Sequence, residues 1–383
     1  MRNRIELLRE FSVPLVFGVV AALVWANVDH DGYESFLHGD FLAGLSFHFL
    51  VNEIFMAFFF GIAAVEITQS CLPGGDLNPI RKAVNPLFAT VGGVVGPVGV
   101  YLGLNDLLGS PELARGWGIP TATDIALAWL AARIVFGRGH PAIAFLLLLA
   151  IADDAVGLVI IALFYGDPER PAEPAWLLLT LVGAVAAYTL RHRGARSYWP
   201  YLLLGGVPSW AGLFQAHLHP ALALTFVVPF LPHPTRERAH LFEESPRETS
   251  TLARFEHEWK LIVDFGLFLF GLANAGVQVS TAGPGTWLVL GGLVVGKTLG
   301  IYFLGLVGHL MGLPLPEGMG KRELFLAGLV AGIGFTVALF VAGEAFTDPR
   351  LQAEAKMGAM LSILAMGLAA ALGRALGVGK RHR

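Results

Sequence analysis

The sequence predicts an all-α polytopic membrane protein with about twelve transmembrane helices and both termini in the cytoplasm. The first observation is composition: of 383 residues, 55% are hydrophobic and 14% are charged, against roughly 25% charged residues in soluble domains. The second is that apolar stretches of about 18 residues or more recur along the chain, which favours membrane-spanning helices over a barrel. The third is the distribution of basic residues between the loops.

The apolar stretches divide into twelve predicted spans. The first could also be a signal peptide, because Val24 to Ala26 resembles a cleavage site, but its length and the many spans that follow favour a retained helix. The spans are 11–28, 47–70, 84–104, 118–136, 141–165, 175–190, 198–214, 217–232, 260–278, 286–308, 323–345 and 355–376.

Basic residues test this count, because short cytoplasmic loops carry an excess of Lys and Arg. With the N-terminus inside, 21 of the 26 Lys and Arg residues fall on inside segments. Arg115, Arg170, Arg350 and Lys356 fall outside, and Lys297 alone falls in mid-span. A miscounted span would scramble this asymmetry, so it supports twelve spans with both ends inside.

The composition also excludes several classes of function. The chain, 1–383, is predicted to be one transmembrane domain whose only long soluble piece is 233–259, a solvated connector or a regulatory loop. No separate soluble domain is left for enzymatic chemistry. A net charge of −3 argues against a nucleic-acid partner, and the single Cys71 excludes an internal disulfide and a cysteine metal site. No cofactor is expected.

Four charged residues fall within the predicted hydrocarbon. Asp153 and Asp154 are the only charges of span five, Lys297 is central in span ten, and Asp124 lies early in span four. A charge at the centre of a membrane helix costs roughly 2.5–3.5 kcal/mol, so these residues must pair or face water. An ion pair that only fixes helix packing needs one acid opposite Lys297. Three acids against one base leave net negative charge for a cation, which favours an ion or proton pathway.

The backbone near these acids is predicted to be irregular. Pro120 removes a helical hydrogen bond ahead of Asp124 and biases Ile119 away from helix. Span eleven contains Gly332-Ile333-Gly334, a weak helix former, although glycines alone also suit close helix packing. Two interrupted segments in corresponding halves of a membrane protein are a sequence sign of a transporter site.

One motif match is attributed to chance. Gly291 to Thr298, GGLVVGKT, fits the phosphate-loop pattern. That loop functions between a strand and a helix of a soluble sheet, whereas this stretch lies inside one continuous apolar span.

Several motifs, taken together and in order, carry a resemblance over nearly the whole chain. They are TATDIALA at 121–128, AIADDAVG at 150–157, ANAG at 273–276, GKTLGI at 296–301 and GIGFT at 332–336. With them the chain resembles the bacterial NhaA-type sodium/proton antiporters, multi-pass proteins of the inner membrane that serve sodium extrusion and pH homeostasis.

The resemblance implies an architecture and an activity. It implies inverted repeats over 84–165 (spans three to five) and 286–376 (spans ten to twelve), with broken spans four and eleven crossing near the site. The segments 11–70 and 217–278 would supply interface helices. The implied activity is electrogenic exchange of two protons for one Na⁺ or Li⁺, and the implied partners are the lipid bilayer and a second copy in a homodimer.

Residue by residue, the family's ion-binding and proton-carrying aspartates fall on Asp153 and Asp154, which would bind Na⁺ through hard oxygen ligands. The family's aspartate of the broken helix falls on Asp124, with Thr123 beside it, and its midplane lysine falls on Lys297. Carboxylates would release protons to bind the cation, and reprotonation on the other side would expel it.

Departures from the family pattern predict that the pH response of this chain differs from that of the family. The family follows a span-two glutamate with a charged cluster, whereas Glu66 is followed by Ile67-Thr68-Gln69-Ser70. Glu256 falls in a cytoplasmic regulatory stretch, and His219 aligns with a histidine linked to pH response. Glu66, Glu256 and His219 are therefore candidates for pH regulation.

Two further departures concern the edges of the molecule. The first outside loop, 28–46, is short and is expected to lack room for the hairpin that joins dimers in family members. Asp264 has no family counterpart, and an i,i+4 pair with Lys260 at the inner helix end is its expected role.

Two alternative functions use similar residues. An intramembrane aspartyl protease also needs aspartates on two spans, but its GxGD signature is absent and a central lysine has no evident role there. A sodium-coupled symporter of related fold would use the cation to drive an organic solute, and a solute-dependent sodium flux would favour it.

Overall fold

The structure is a computed structural model of the chain. It describes residues 13–42, 44–73, 80–108, 110–137, 139–166, 171–233 and 250–378. Most of the predicted connector at 233–259 lies outside these described residues, as do Arg170 and the first two residues of the predicted first span.

Helices dominate the described residues. Among the described residues, thirteen helices can be numbered in chain order, and four stretches of 3₁₀-helix connect or extend them. The helices are α1 (Val13–Val28), α2 (His30–His38), α3 (Phe47–Cys71), α4 (Ile80–Leu108), α5 (Ile125–Phe136), α6 (Pro141–Phe164), α7 (Leu177–His192), α8 (199–215), α9 (Thr251–Asn274), α10 (Pro284–Leu310), α11 (Lys321–Ala331), α12 (Phe335–Ala345) and α13 (Pro349–Ala375); the 3₁₀ stretches are Pro111–Thr121, Pro174–Trp176, Pro220–Phe230 and Val279–Thr281.

Length and apolar composition identify a multi-pass membrane protein. Among the described residues, six helices are long and apolar enough to cross a membrane, or up to eight if each of two bent helix pairs is one span. The remaining predicted spans meet shorter, irregular or more charged elements: α1 has 16 residues, α8 contains a π-helical turn, and Pro220–Phe230 is 3₁₀. The helix α9 has 24 residues but carries five Asp, Glu, Lys or Arg residues. The total of twelve spans stays a prediction.

The two bent pairs interrupt the chain where proline and glycine occur. Pro111–Thr121 meets α5 at an angle of 61°, and α11 meets α12 at 47°. The two interruptions touch, because the amide of Asp124 donates to the carbonyl of Ile333 at 2.7 Å. Backbone groups freed by one break are thus satisfied by the other, as non-helical backbone inside a membrane protein requires.

Helices α4 and α10 pack closely through glycines. A Cβ at Gly92 would overlap the backbone of Gly300, and a Cβ at Gly300 would overlap the backbone of Gly92. Gly96 and Gly296 make a second close approach of the same kind. Small residues permit this contact between membrane helices, and it holds the middle of α10 against α4.

The phosphate-loop match lies inside α10 and not between a strand and a helix. Its stretch Gly292–Lys297 is a π-helical turn within the continuous helix Pro284–Leu310. A phosphate loop is therefore excluded there, and a π-helical turn inside a helix frequently marks a functional position.

The expected absence of a hairpin in the first outside loop is wrong. After α2, β1 (Asp40–Leu42) pairs antiparallel with β2 (Leu45–Ser46), with Asp40 opposite Ser46. The loop has room because each strand is only two or three residues long, and Phe41 and Leu42 are exposed on it.

Candidate cation and proton site

A cavity of about 490 Å³ enters the protein between the α3–α9 pair and the broken helices. Glu66 and Lys260 line it where their side chains are 29% and 36% exposed. Asp154 and Asp124 line it as well, and Asp124 is 4% exposed. The cavity therefore runs from a solvated mouth to acids in the interior.

Asp153 forms a fully buried ion pair with Lys297. The ammonium of Lys297 lies 2.9 Å from Oδ2 of Asp153, and neither side chain is exposed. Lys297 also donates to the carbonyl of Thr121 at 2.5 Å, and the Thr123 hydroxyl lies 2.8 Å from the same Oδ2. The break ahead of α5 thus supplies a backbone carbonyl and a hydroxyl that fix the pair, while Oδ1 of Asp153 has no hydrogen-bond partner.

Asp154 has a different environment from its neighbour. Consecutive helical residues point about 100° apart, and Asp154 lines the large cavity, where Asp153 does not. Both line a second cavity of about 10 Å³, which is about the space of one water. Oδ1 of Asp154, like Oδ1 of Asp153, is buried and lacks a hydrogen-bond partner among the described residues. Two unsatisfied carboxylate oxygens therefore belong to residues that line the small cavity, and one of these residues, Asp154, also lines the large cavity.

Asp124 joins the two broken helices. Its Oδ1 accepts from the amide of Leu127 at 3.0 Å and caps α5. Its Oδ2 accepts from the amide of Thr336 at 3.2 Å and from the Thr336 hydroxyl, in the first turn of α12. A carboxylate is favourable at a helix N-terminus, and Asp124 serves two such termini at once.

Glu66 and Glu256 come together at the cavity mouth. Lys260 lies 2.9 Å from Glu66 and 3.9 Å from Glu256, and Gln69 donates to Glu256 at 2.6 Å. The charge cluster missing from the sequence after Glu66 is thus rebuilt from α9. Asp264, which was expected to pair with Lys260, lines the same cavity.

His219 lies apart from this cluster. It is 6% exposed, its Nε2 donates to the carbonyl of Tyr165, and its Nδ1 lies 3.2 Å from Glu344. Its ring contacts Phe340, whose ring in turn contacts Phe60, a residue of the small cavity. An aromatic pair therefore separates His219 from the two aspartates.

Sequence reasoning brought together Asp153, Asp154, Thr123, Lys297 and Asp124, and the structure places them around one interior region. The sequence alone did not predict the contact of the Thr336 hydroxyl with Asp124 or the bridge between Lys260 and Glu66. Thr336 could have been found from the GIGFT stretch, because a hydroxyl that follows a glycine break is well placed to meet a partner at the new helix start. Glu256 lies one turn from Lys260 on α9, whereas Glu66 lies 194 residues away in the chain, and no local pattern encodes that partner.

Chemically, the site offers oxygen ligands of the kind that hard monovalent cations prefer. Lys297 balances one carboxylate, so the remaining acids can hold either protons or a cation. The burial of these groups makes simultaneous ionisation of all of them costly without a positive partner.

Comparisons with known proteins agree with the motifs. The model of the family "Na+/H+ antiporter 1" matches residues 6–375. The "Na(+)/H(+) antiporter NhaA" of Geobacter sulfurreducens is 69% identical over 378 residues, which cover 99% of each chain. The protein of the same name from Geotalea uraniireducens is 67% identical over 381 residues, covering 100% of this chain and 99% of the relative.

One solved structure is also similar, the sodium proton antiporter MjNhaP1 from Methanocaldococcus jannaschii at pH 8. It has a TM-score of 0.49 and 17% identity, and the match covers 95% of this chain and 97% of that one. The family assignment rests on the sequence relatives, which confirm the resemblance drawn from the motifs: the chain belongs to the Na+/H+ antiporter 1 family.

Proposed function

We propose that the protein is a secondary antiporter that exchanges Na⁺ or Li⁺ for H⁺ across the bacterial inner membrane. The exchange is electrogenic, with two protons per cation, and serves sodium extrusion and pH homeostasis. Membership of the antiporter family supports the activity. The observation that carries the mechanism is the acid pair Asp153 and Asp154: both line a small interior cavity with a carboxylate oxygen that has no hydrogen-bond partner among the described residues, and Asp154 also lines the large cavity that leads to solvent.

The two aspartates hold either protons or the cation. A cation that enters the cavity reaches Asp154 first, because this residue lines the cavity wall. It displaces protons and is held by carboxylate oxygens of Asp154 and Asp153, with the Thr123 hydroxyl beside them. Reprotonation from the opposite side removes the negative charge and releases the cation.

Lys297 and Asp124 do not bind the cation in this proposal but position and balance the charge of the residues that do. Lys297 balances Asp153 when the site is empty and yields that carboxylate when the cation arrives, either by moving away or by releasing a proton. Asp124 keeps the two helix starts together, so the carboxylates stay in register while the cation is exchanged. Glu66, Glu256 and His219 adjust the pH response from two different places.

The architecture we propose has twelve spans, with inverted repeats over 84–165 and 286–376 and interface helices in 11–70 and 217–278. The reciprocal glycine contact of α4 with α10 supports the repeats, because two-fold related helices meet through equivalent residues. The contact between the two helix breaks supports a crossing near the site. The exposed hairpin with Phe41 and Leu42 supports a homodimer within the lipid bilayer.

Transport in proteoliposomes tests the activity. The purified protein is reconstituted with an imposed pH gradient, and a pH-sensitive dye follows its dissipation when Na⁺, Li⁺ or K⁺ is added. We expect dissipation with Na⁺ and Li⁺ and little with K⁺, together with a membrane-potential signal from a second dye.

The controls separate the finer claims. Vesicles without protein give the leak, and an Asp154→Asn variant gives the signal that does not pass through the site. Dissipation without a potential signal would overturn the electrogenic stoichiometry, and a sodium flux that requires an added organic solute would replace antiport by symport.

A further inference from the structure

The mouth of the large cavity, which is the proposed route of the cation to Asp154, carries charges of opposite sign. Glu66, Asp264 and Lys260 line the cavity together with the deeper Asp124 and Asp154. Lys260 is thus an ammonium in the wall of a chamber whose other ionisable lining groups are carboxylates. Nothing in the exchange of a cation for protons at the two inner aspartates requires it.

The ammonium of Lys260 is held in place. It lies 2.9 Å from Glu66 on the neighbouring helix α3 and 3.9 Å from Glu256 one turn away on its own helix. Gln69 donates to Glu256 at 2.6 Å, so this acceptor is itself held in place. The positive charge therefore has a defined position on the wall and does not swing freely into solvent.

A fixed charge there acts on any ion that enters. A chamber with low-dielectric walls focuses the field of its lining charges and changes the local concentration of ions. At about 0.1 M salt the field of an exposed charge falls off over about 10 Å, and at about 0.01 M over about 30 Å. Lys260 cancels the attraction that Glu66 would otherwise exert on cations at the mouth.

We propose that Lys260 sets the apparent affinity for the transported monovalent cation by neutralising Glu66 at the cavity mouth. This inference rests on the proposed function, because it concerns the same cation on its way to the aspartates. It assigns Lys260 a tuning role, in which its charge weakens the apparent affinity for cations that Glu66 alone would give.

Two opposite substitutions test the proposal. Lys260→Met keeps the aliphatic stem and removes the charge, which exposes the carboxylate of Glu66 to the cavity. Glu66→Gln keeps the shape of the acid and removes the nearest counter-charge of the ammonium, which leaves the more distant Glu256 at 3.9 Å. In proteoliposomes at about 10 mM ionic strength, we expect the KM for Na⁺ to fall about three- to tenfold in Lys260→Met and to rise by a similar factor in Glu66→Gln.

Ionic strength gives the readout that a structural role would not move. When choline chloride raises the ionic strength to about 0.5 M, both KM changes should shrink below about twofold, because the charges are then screened. The double variant should return to a KM near that of the wild type. Lys321→Met, at an exposed lysine outside the cavity lining, is the matched control and should leave the KM unchanged.

The outcomes separate this inference from the proposed function. If the wild-type protein shows no sodium-driven proton movement, the proposed function fails. If the wild type exchanges but the two variants move the KM in the same direction, or equally at both ionic strengths, the bridge acts only by holding the helices and the inference is overturned. If Lys260→Met does not reconstitute, Glu66→Gln tests the proposal, with the charge-conserving Lys260→Arg as its control. An unchanged KM in Glu66→Gln at low ionic strength contradicts the proposal.

Discussion

Two lysine–carboxylate bridges in this molecule have the same length and different surroundings. Lys297 lies 2.9 Å from Asp153 with both side chains 0% exposed. Lys260 lies 2.9 Å from Glu66, with side chains 36% and 29% exposed. The first lies between α10 and α6 and is fixed further by a carbonyl and a hydroxyl from a helix break. The second joins α9 to α3 at the cavity mouth.

The difference in exposure decides what each bridge can do. An exposed pair contributes about 0–1 kcal/mol, because water and salt screen it. A buried pair is costly to form, but removing one partner leaves an unpaired charge and costs about 3–5 kcal/mol. The inner bridge can therefore respond strongly when a proton or a cation changes the charge of its acid, whereas the outer bridge can only adjust the field that an entering ion meets.

The largest effect should follow from removing either inner carboxylate. Asp153→Asn and Asp154→Asn should each reduce sodium-driven proton movement by at least about a hundredfold, because a side chain placed to transfer protons contributes about 10²–10⁴-fold. Dye-reported exchange in proteoliposomes at saturating and subsaturating Na⁺ measures the effect. The control is Asp106→Asn, an exposed aspartate on α4. Wild-type exchange in either inner variant would remove that residue from the mechanism.

The next effect compares the two lysines directly. Lys297→Ala should lower the free energy of unfolding by about 3–5 kcal/mol, because Asp153 is left buried without its counter-charge. Lys260→Ala should lower it by less than about 1 kcal/mol. Thermal melting in detergent, monitored by intrinsic fluorescence, ranks the two. Equal melting temperatures for the two variants would show that burial does not distinguish the bridges.

A smaller effect is expected where a carboxylate caps two helices. Asp124→Ala removes the acceptor for the amides of Leu127 and Thr336, and each lost cap costs about 0.5–2 kcal/mol. Asp348→Ala is the matched control, since this exposed aspartate caps only α13. The drop in melting temperature should be larger for Asp124→Ala than for Asp348→Ala. The reverse order would mean that the junction between the breaks does not depend on Asp124.

The smallest effect concerns the pH profile at the cavity mouth. Glu66→Gln or Glu256→Gln should move the pH of half-maximal exchange by about half a unit, because an exposed charge interaction is worth up to about 1 kcal/mol. The shift should be toward acid pH, since a less negative mouth attracts fewer protons. The maximum rate at saturating Na⁺ should stay the same. Profiles that coincide with the wild type in both variants would show that these glutamates have no regulatory role.

The sequence predicts those features of the molecule that depend on residues close together in the chain. The composition and the apolar stretches predict a helical membrane protein, and Pro120 and the Gly332–Gly334 stretch mark where the helices bend, because those residues act locally on the backbone. Charged residues are costly inside a membrane, so the three inner aspartates and Lys297 stand out in the sequence as functional candidates.

Other features depend on contacts between distant parts of the chain. The bridge from Lys260 to Glu66 could not be read from spacing, since Glu66 is 194 residues away. Local spacing does account for Glu256, 3.9 Å from Lys260 and one turn away, and for the electrostatic interaction of Lys260 with Asp264. The hairpin after α2 was missed because its strands are too short for a periodic pattern. The cavity itself is a property of how α3 and α9 stand off from the broken helices, which local propensity does not encode.

If the two inner carboxylates exchange protons for a cation, sodium binding must release protons from the protein. Purified protein in weakly buffered detergent solution, at a pH where exchange is active, receives saturating Na⁺ while a pH indicator reports the protons released. We expect about two protons per protein chain for the wild type, a clear reduction in Asp154→Asn, and no proton release when choline replaces Na⁺. Sodium binding to the wild type without any proton release would contradict this exchange.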